Sequence, residues 1–343
     1  MRTLLAPGLV LVSILGCGGS DGGGATDDAA TEDSALPPND GGRGDAVADG
    51  VTADATADGP RPDGASDSMT AACGDVESYI PAWARDAKPT RELYVSPTGD
   101  DANDGSKEHP YKTTAKAFAS AAPGVRLNFT TGSFACPPFT ADLLASTSAP
   151  FVVRAVDGPR TAKFDCGGTG DFFFSHARGV VLDGLEISNT SGHGIQLDSG
   201  SGFATKDLSA DFVLAHSHVH HTVLAGIKVA QSQRIYVVGN EFDHSGPGRQ
   251  DVEFVGSDLP VVVGNDAHDS DAFDEVKGGA HGGLIALNRV HDMNPGAGGI
   301  LVGGDCTGYA FLVDQTADFE AKDLRVWGNV ITGADGFAFR IVG

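Results

Sequence analysis

The chain has 343 residues and a formal net charge of −23, with 23 Lys and Arg against 46 Asp and Glu. No basic patch interleaved with aromatic residues interrupts this acidity, so nucleic acid is not the expected partner. Residues 73–343 are long enough for one large domain with a substantial core.

In chain order, the first element is Arg2 followed by an apolar run from Leu4 to Leu15, too short to span a bilayer and read as a signal peptide. The run ends in Ile14-Leu15-Gly16-Cys17, which resembles the lipobox of bacterial lipoproteins. That resemblance implies export, lipidation of Cys17 and a membrane anchor, with Gly18 directing the protein to the outer membrane or cell surface. Residues 18–72 are Gly, Ala, Asp, Thr and Pro with few large apolar side chains. Such a segment cannot bury enough surface to offset its ordering entropy, so it is expected to be a disordered tether. Cys73, Cys136, Cys166 and Cys306 follow, an even number suited to an oxidising compartment. One coil of a solenoid separates Cys136 from Cys166, which favours that pair, although the sequence leaves the connectivity open.

Leu93 to Val95 reads as a strand and Asp100 to Gly105 as a turn, before a helix opened by Pro110-Tyr111-Lys112-Thr113-Thr114 and expected to run to about Ala122. Pro123-Gly124 stops it. The order of a YVSPTG strand, a DG turn, a PYKT helix start and a PG stop resembles the N-terminal cap of the pectate-lyase-like β-helix families. Asp100, Asp101, Asn103 and Asp104 are better read as a hydrogen-bonded turn than as a calcium loop, since no distal Glu completes a ligand set.

Downstream, apolar segments recur at roughly 22 to 25 residues from Phe212 through Ile235 and Pro260 to Leu284, with further members at wider spacing starting at Val180 and Leu324. The alignment puts Asn240, Asn265, Asn288 and Asn329 in one column with Ser217 above them, an asparagine ladder that fixes register and carries no catalysis. A second strand in each repeat sends Leu197, Val229, Phe254, Val276, Val302 and Ile341 inward. It sends Gln196, Lys228, Glu253, Glu275 and Arg340 outward. The fold class is therefore all-β: a right-handed parallel β-helix with a short N-terminal capping helix. The chain stops near Ile341 with Phe337 and Phe339 at the end of the tube, which predicts either further coils in a longer gene product or a covering partner, and a monomer once the end is covered.

The densest polar stretch runs from Asn265 to Gly279. It loosely resembles the site of the lysine-dependent β-helix pectate lyases, which implies calcium held among Asp243, Asp266, Asp269 and Asp271, and Lys277 or Arg340 as the base of a β-elimination on an acidic extracellular polysaccharide. Lys228, Glu253 and Glu275 would contact the substrate. The match departs from the family pattern in two places: Asp271-Ala272-Phe273 precedes Lys277 with one residue too many, and the correctly spaced Asp335-Gly336-Phe337-Ala338-Phe339-Arg340 ends in Arg. A lysine crowded by carboxylates alone stays protonated, which opposes the role of base unless a metal screens them. Two alternatives stand beside the lyase. Asp269 and Asp292 share a column, as do His268 and His291, and would serve a glycoside hydrolase. Otherwise, stacked residues such as His220, His268 and His291 are turn-packing groups of a non-catalytic carbohydrate-binding protein. The anchoring expectation has a direct check: Cys17→Ser should leave export intact and move the protein from the membrane fraction to the soluble one.

Overall fold

The computed structural model describes residues 10–13, 75–200, 207–304 and 316–342. Cys17, Cys73, Cys306 and the 18–72 segment lie outside the described residues. Alternating apolar and polar residues, interrupted by positive-φ turns every few residues, wind the chain into a parallel β-helix with three faces. Face X runs from Val125–Phe129 through Phe151–Ala155, Arg178–Asp183, Ser209–Ala215 and Val261–Val263 to Ala321–Trp327. Face Y is a sheet of eight strands from Gly132–Ala135 to Val330–Ile331. Face Z includes Ile195–Asp198, Gln250–Asp258, Ala272–Lys277, Gly298–Val302 and Phe337–Ile341. Some strands continue from Z into X around a bend. Ile227–Val238 is one, with φ of 42° at Gln231 and 56° at Arg234. Val10–Ser13 pairs antiparallel with the last X strand.

The ladder expected from the sequence is present. Asn240 accepts from Ser217 N at 2.9 Å, Asn265 from both Asn240 N and Nδ2 at 3.0 Å, and Asn288 from Asn265 N and Nδ2 at 2.9 Å. Asn329 closes the series on Asn288. The same column continues upstream as Leu185, Ala162 and Gly132, which have no amide to offer. Those earlier coils, which carry no asparagine repeat, hold together through aromatic edges instead. Phe129 meets Phe134 and Phe164 at 4.9 Å, and Phe164 meets Phe172 at 5.0 Å. A disulfide joins Cys136 to Cys166 in the same region.

The capping helix covers Thr114–Phe118, shorter than expected. Beyond Phe118 the backbone tightens, with Ser120 N on Ala117 O and Ala121 N on Phe118 O, so the chain turns before Ala122. Asp101 accepts from Lys112 N, Thr113 N and Thr113 Oγ1, and Asp100 and Asp104 from Ala102 N and Ser106 N, as a hydrogen-bonded turn requires. A second N-terminal element was not foreseen. The turns Val76–Tyr79 and Ala82–Arg85 lie outside face X, where Ile80 and Ala84 pack on Val152, Val181, Val213 and Val238. Gly264, at φ 68°, admits this strap: a Cβ there would sit 2.5 Å from Val76 Cγ1. His216 pins it by bonding Glu77 and Asp183, each at 2.7 Å, and those carboxylates hold its pKa up at about 9 although burial opposes them.

Inside the tube, Phe172, Ile195, Ile227, Val252, Asp274, Ile300 and Phe339 stack in one register column. Asp274 is fully buried there and neither carboxylate oxygen has a hydrogen-bond partner. Burial, then the neighbouring charge of Glu275, drives its pKa well above the ordinary carboxylate range.

Two stability predictions follow from these contacts. Asn265→Ala strands Asn240 N and Val237 O inside the turn and should cost about 2–4 kcal/mol in urea unfolding. Asp274→Val should stabilise by about 1–3 kcal/mol near neutral pH. Because the folded-state pKa is raised, the cost of Asp274 grows as pH climbs above the unfolded value of about 3.9, so the gain should shrink when unfolding is measured near that pH.

Candidate functional site

Outward positions of face Z carry Gln196, Lys228, Glu253, Glu275, Leu301 and Arg340, one per coil and in register. Strand parity places Lys277 on the same side as Glu275, two residues on. Lys228, Glu253, Glu275 and Lys277, assigned separately from the sequence, form one network. Lys228 Nζ bonds Glu253 Oε1, and Lys277 Nζ lies 3.5 Å from that same oxygen and 3.0 Å from Glu275 Oε2. Gln250 Nε2 donates to Glu275 Oε2 at 2.9 Å. Gln250 and His193, which lies close enough for Lys228 and Glu253 to act on it, were not singled out in the sequence.

Glu253 and Glu275 are buried at 5% and 4% exposure, and Lys277 lies beneath Gly304, whose Cβ would meet Lys277 Cδ at 2.8 Å. Four charges so enclosed must balance one another. Their protonation is split by position. Burial raises the pKa of Glu253, but Lys228 and Lys277 outweigh it and keep this carboxylate ionised below its ordinary value. At Glu275 burial and the charge of Glu253 prevail over Lys277, so its pKa rises. Burial works against the Lys277 ammonium, yet Glu275 and Glu253 hold its pKa above normal. His193 accepts from Ala225 N at 3.2 Å, and burial followed by Lys228 lowers its pKa to about 4, leaving the ring neutral.

Arg340 does not join this network. It lies two coils beyond Glu275, roughly 9–10 Å at the usual strand spacing, and its guanidinium stands 6.0 Å from the Phe337 ring centroid.

Face Y bears a second polar wall. One column runs Glu186, His218, Glu241, Asp266, Arg289, and the next runs Ser188, His220, Asp243, His268. The turn beyond is a line of positive-φ residues, Asn189, His221, His244, Asp269 and Asp292, a conformation for which Asn, Asp and His are enriched. Asp243 is nearly buried and bonds His218 Nε2 and His244 Nδ1. These partners, against the cost of burial, hold its pKa far below the carboxylate range.

The four aspartates expected to hold calcium do not converge. Asp266 bonds His291 at 2.8 Å, Asp269 bonds His268 at 2.8 Å, and Asp271 accepts from Gly248 N and Asn294 Nδ2. Of the four, Asp243 alone belongs to a group of three or more close donors among the described residues, and its companions are His218 with His220, His221 with His244, or Glu241 with His268. Two of these sets are nitrogen-rich and the third still includes an imidazole, whereas calcium requires an all-oxygen cage. Asp269 and Asp292, the hydrolase alternative, stack through Asp269 N on Asp292 O. Each side chain is spent on its own neighbouring histidine, His268 or His291. Behind the turns, Asp251 is fully buried, accepts from Ser245 Oγ at 2.7 Å, and is pushed up to about 7 by burial.

No family model and no curated protein sequence matches the chain. Among solved structures it is similar to a lacto-N-biosidase from Eubacterium ramulus (TM-score 0.42, 12% identity, 62% of this chain and 56% of that one). A rhamnogalacturonan lyase gives a TM-score of 0.39 at 13% identity, over 64% of this chain and 63% of that one. An alginate lyase from a Paenibacillus species gives 0.36 at 14% identity, over 74% of this chain and the whole of the other. The chain therefore spans 56% and 63% of the lengths of the first two. Parallel register on three faces and an amide ladder along one corner establish the architecture on their own: this protein is a right-handed parallel β-helix.

Proposed function

We propose that the protein binds an extracellular polysaccharide along the outer side of face Z and cleaves it at the Lys228, Glu253, Glu275 and Lys277 network. One observation carries this reading: two buried carboxylates in adjacent coils, Glu253 and Glu275, share Lys277, and Lys228 adds a second cation in contact with Glu253 alone, which favours the ionised form of Glu253 over that of Glu275. Glycoside cleavage needs such a division, with one carboxyl protonated as the acid and its partner ionised as the base or nucleophile. Glu275 takes the first role and Glu253 the second. Lys277 touches both carboxylates and positions them.

The same contacts disfavour elimination with Lys277 as base, because an amine must be neutral to take a proton and both glutamates stabilise its charged form. They also bear on the substrate. The two lysines of the network face two glutamates, and the whole chain carries a charge of −23, so a uronan meets no surplus of cations here. A neutral glycan fits better than the acidic one expected from the sequence. Export and anchoring through Cys17 would place the protein where such polymers are met.

The test is incubation of the full chain with a panel of neutral and uronic polysaccharides, reading reducing ends and unsaturated uronate absorbance in parallel. We expect new reducing ends from a neutral glycan without unsaturated product, and a loss of about 100-fold or more in Glu275→Gln and Glu253→Gln. Unsaturated product from a uronan, abolished in Lys277→Ala, would replace hydrolysis with elimination. Binding without any product would leave a carbohydrate-binding protein.

A further inference from the structure

The polar wall of face Y lies apart from the face Z network and has no part in the proposed cleavage. His218 and His220 stand two residues apart on one strand, so both rings project from the same side, stacked with centroids 4.3 Å apart and planes 27° from parallel. Asp243 lies one coil on, in register with His220. One donor atom from each of the three lies within 4.8 Å of the others.

The hydrogen bonding of these rings is unusual for groups whose only task is turn packing. His220 Nδ1 shares a proton with His221 Nδ1 at 2.7 Å, which fixes the orientation of the ring. Its Nε2 is buried and has no hydrogen-bond partner, with Glu186 Oε1 3.7 Å away. A buried imidazole nitrogen left without a partner, on a ring fixed through its other nitrogen and grouped with a carboxylate and a second imidazole, is the arrangement of a metal-ligating histidine with its supporting shell. His244, on the second oxygen of Asp243, orients that carboxylate in the same way.

We propose that His218, His220 and Asp243 form a binding site for a first-row transition dication of the zinc class. Two imidazoles and one carboxylate supply the borderline nitrogen and oxygen donors that such ions select over calcium, and three protein ligands leave a coordination position open to water or an exogenous anion. The strand backbone sets the spacing in advance, because His218 and His220 are fixed by alternation and Asp243 by the coil register. Binding replaces the direct bond from His218 to Asp243 with two bonds to the ion.

The experiment uses untagged full-length protein stripped with a chelator, titrated with Zn2+ by calorimetry and with Co2+ by visible absorption. We expect one equivalent of each bound through this site, ligand-field bands of a nitrogen and oxygen donor set in the Co2+ protein, and no displacement by excess Ca2+. His218→Ala and His220→Ala should each weaken Zn2+ binding by about 10-fold or more, whereas Lys277→Ala, on the other face, should not. Absence of saturable Zn2+ binding by the wild type, or unchanged binding in both histidine variants, overturns the proposal. Should either variant fail to fold by circular dichroism, the wild-type Co2+ spectrum decides alone: without ligand-field bands there is no such site.

Discussion

Register between successive coils is the constraint on which every other feature of this molecule depends. A parallel strand pair displaced by one residue would turn each side chain to the opposite side of its sheet. Here it would bring Lys228, Glu253 and Glu275 into the core and expel Val229, Phe254 and Val276. The amides of Asn240, Asn265, Asn288 and Asn329 prevent that slip: the last three each accept from both the backbone and the side chain of the preceding asparagine, and Asn240 accepts from Ser217 N. Because the ladder sits at the corner between faces X and Y, it aligns the histidine wall and, through the rest of each coil, the lysine and glutamate network.

The two functional faces draw on this alignment differently. On face Z, opposite charges from neighbouring coils compensate one another within an enclosed space, and unequally: Glu253 meets both lysines, Glu275 only Lys277. On face Y, imidazoles and carboxylates are interleaved, and His218, His268 and His291 each reach a carboxylate one coil away, Asp243, Glu241 and Asp266, while other bonds join neighbours in sequence. In each case the spacing between groups is the strand spacing of a parallel sheet, about 4.8 Å, which side-chain rotation then shortens to contact distance.

Particular residues show where sequence reading succeeds in such a fold. The ladder was visible because four asparagines recur at one point of the repeat, and the outward column because strand parity is a strict rule. Parity also places Asp274 on the same side as Val276, so its burial was legible, although a carboxyl in a core column is easily passed over as part of an acidic turn. Asp266, Asp269 and Asp271 are close along the chain, yet a strand end and a tight turn send them to different columns, which adjacency in sequence does not reveal. Lys277 was identified without its partner Glu253, since that contact needs the pairing of two strands 22 residues apart, Glu253 with Glu275. The coils before Val180 escaped the repeat alignment because Gly132 and Ala162 occupy the ladder position.

That substitution divides the tube by chemistry. Downstream of Ser217 the coils are tied by amides buried from water, whereas upstream they rest on a cluster of phenylalanines and the covalent link from Cys136 to Cys166. In a solenoid each coil contacts only its neighbours, so damage is not shared along the whole length. A thiol reductant that opens the bond from Cys136 to Cys166 would therefore act on the N-terminal coils, where that link and the phenylalanines replace the ladder. An oxidising environment thus completes the front of the molecule, where ring packing stands in for the amide ladder.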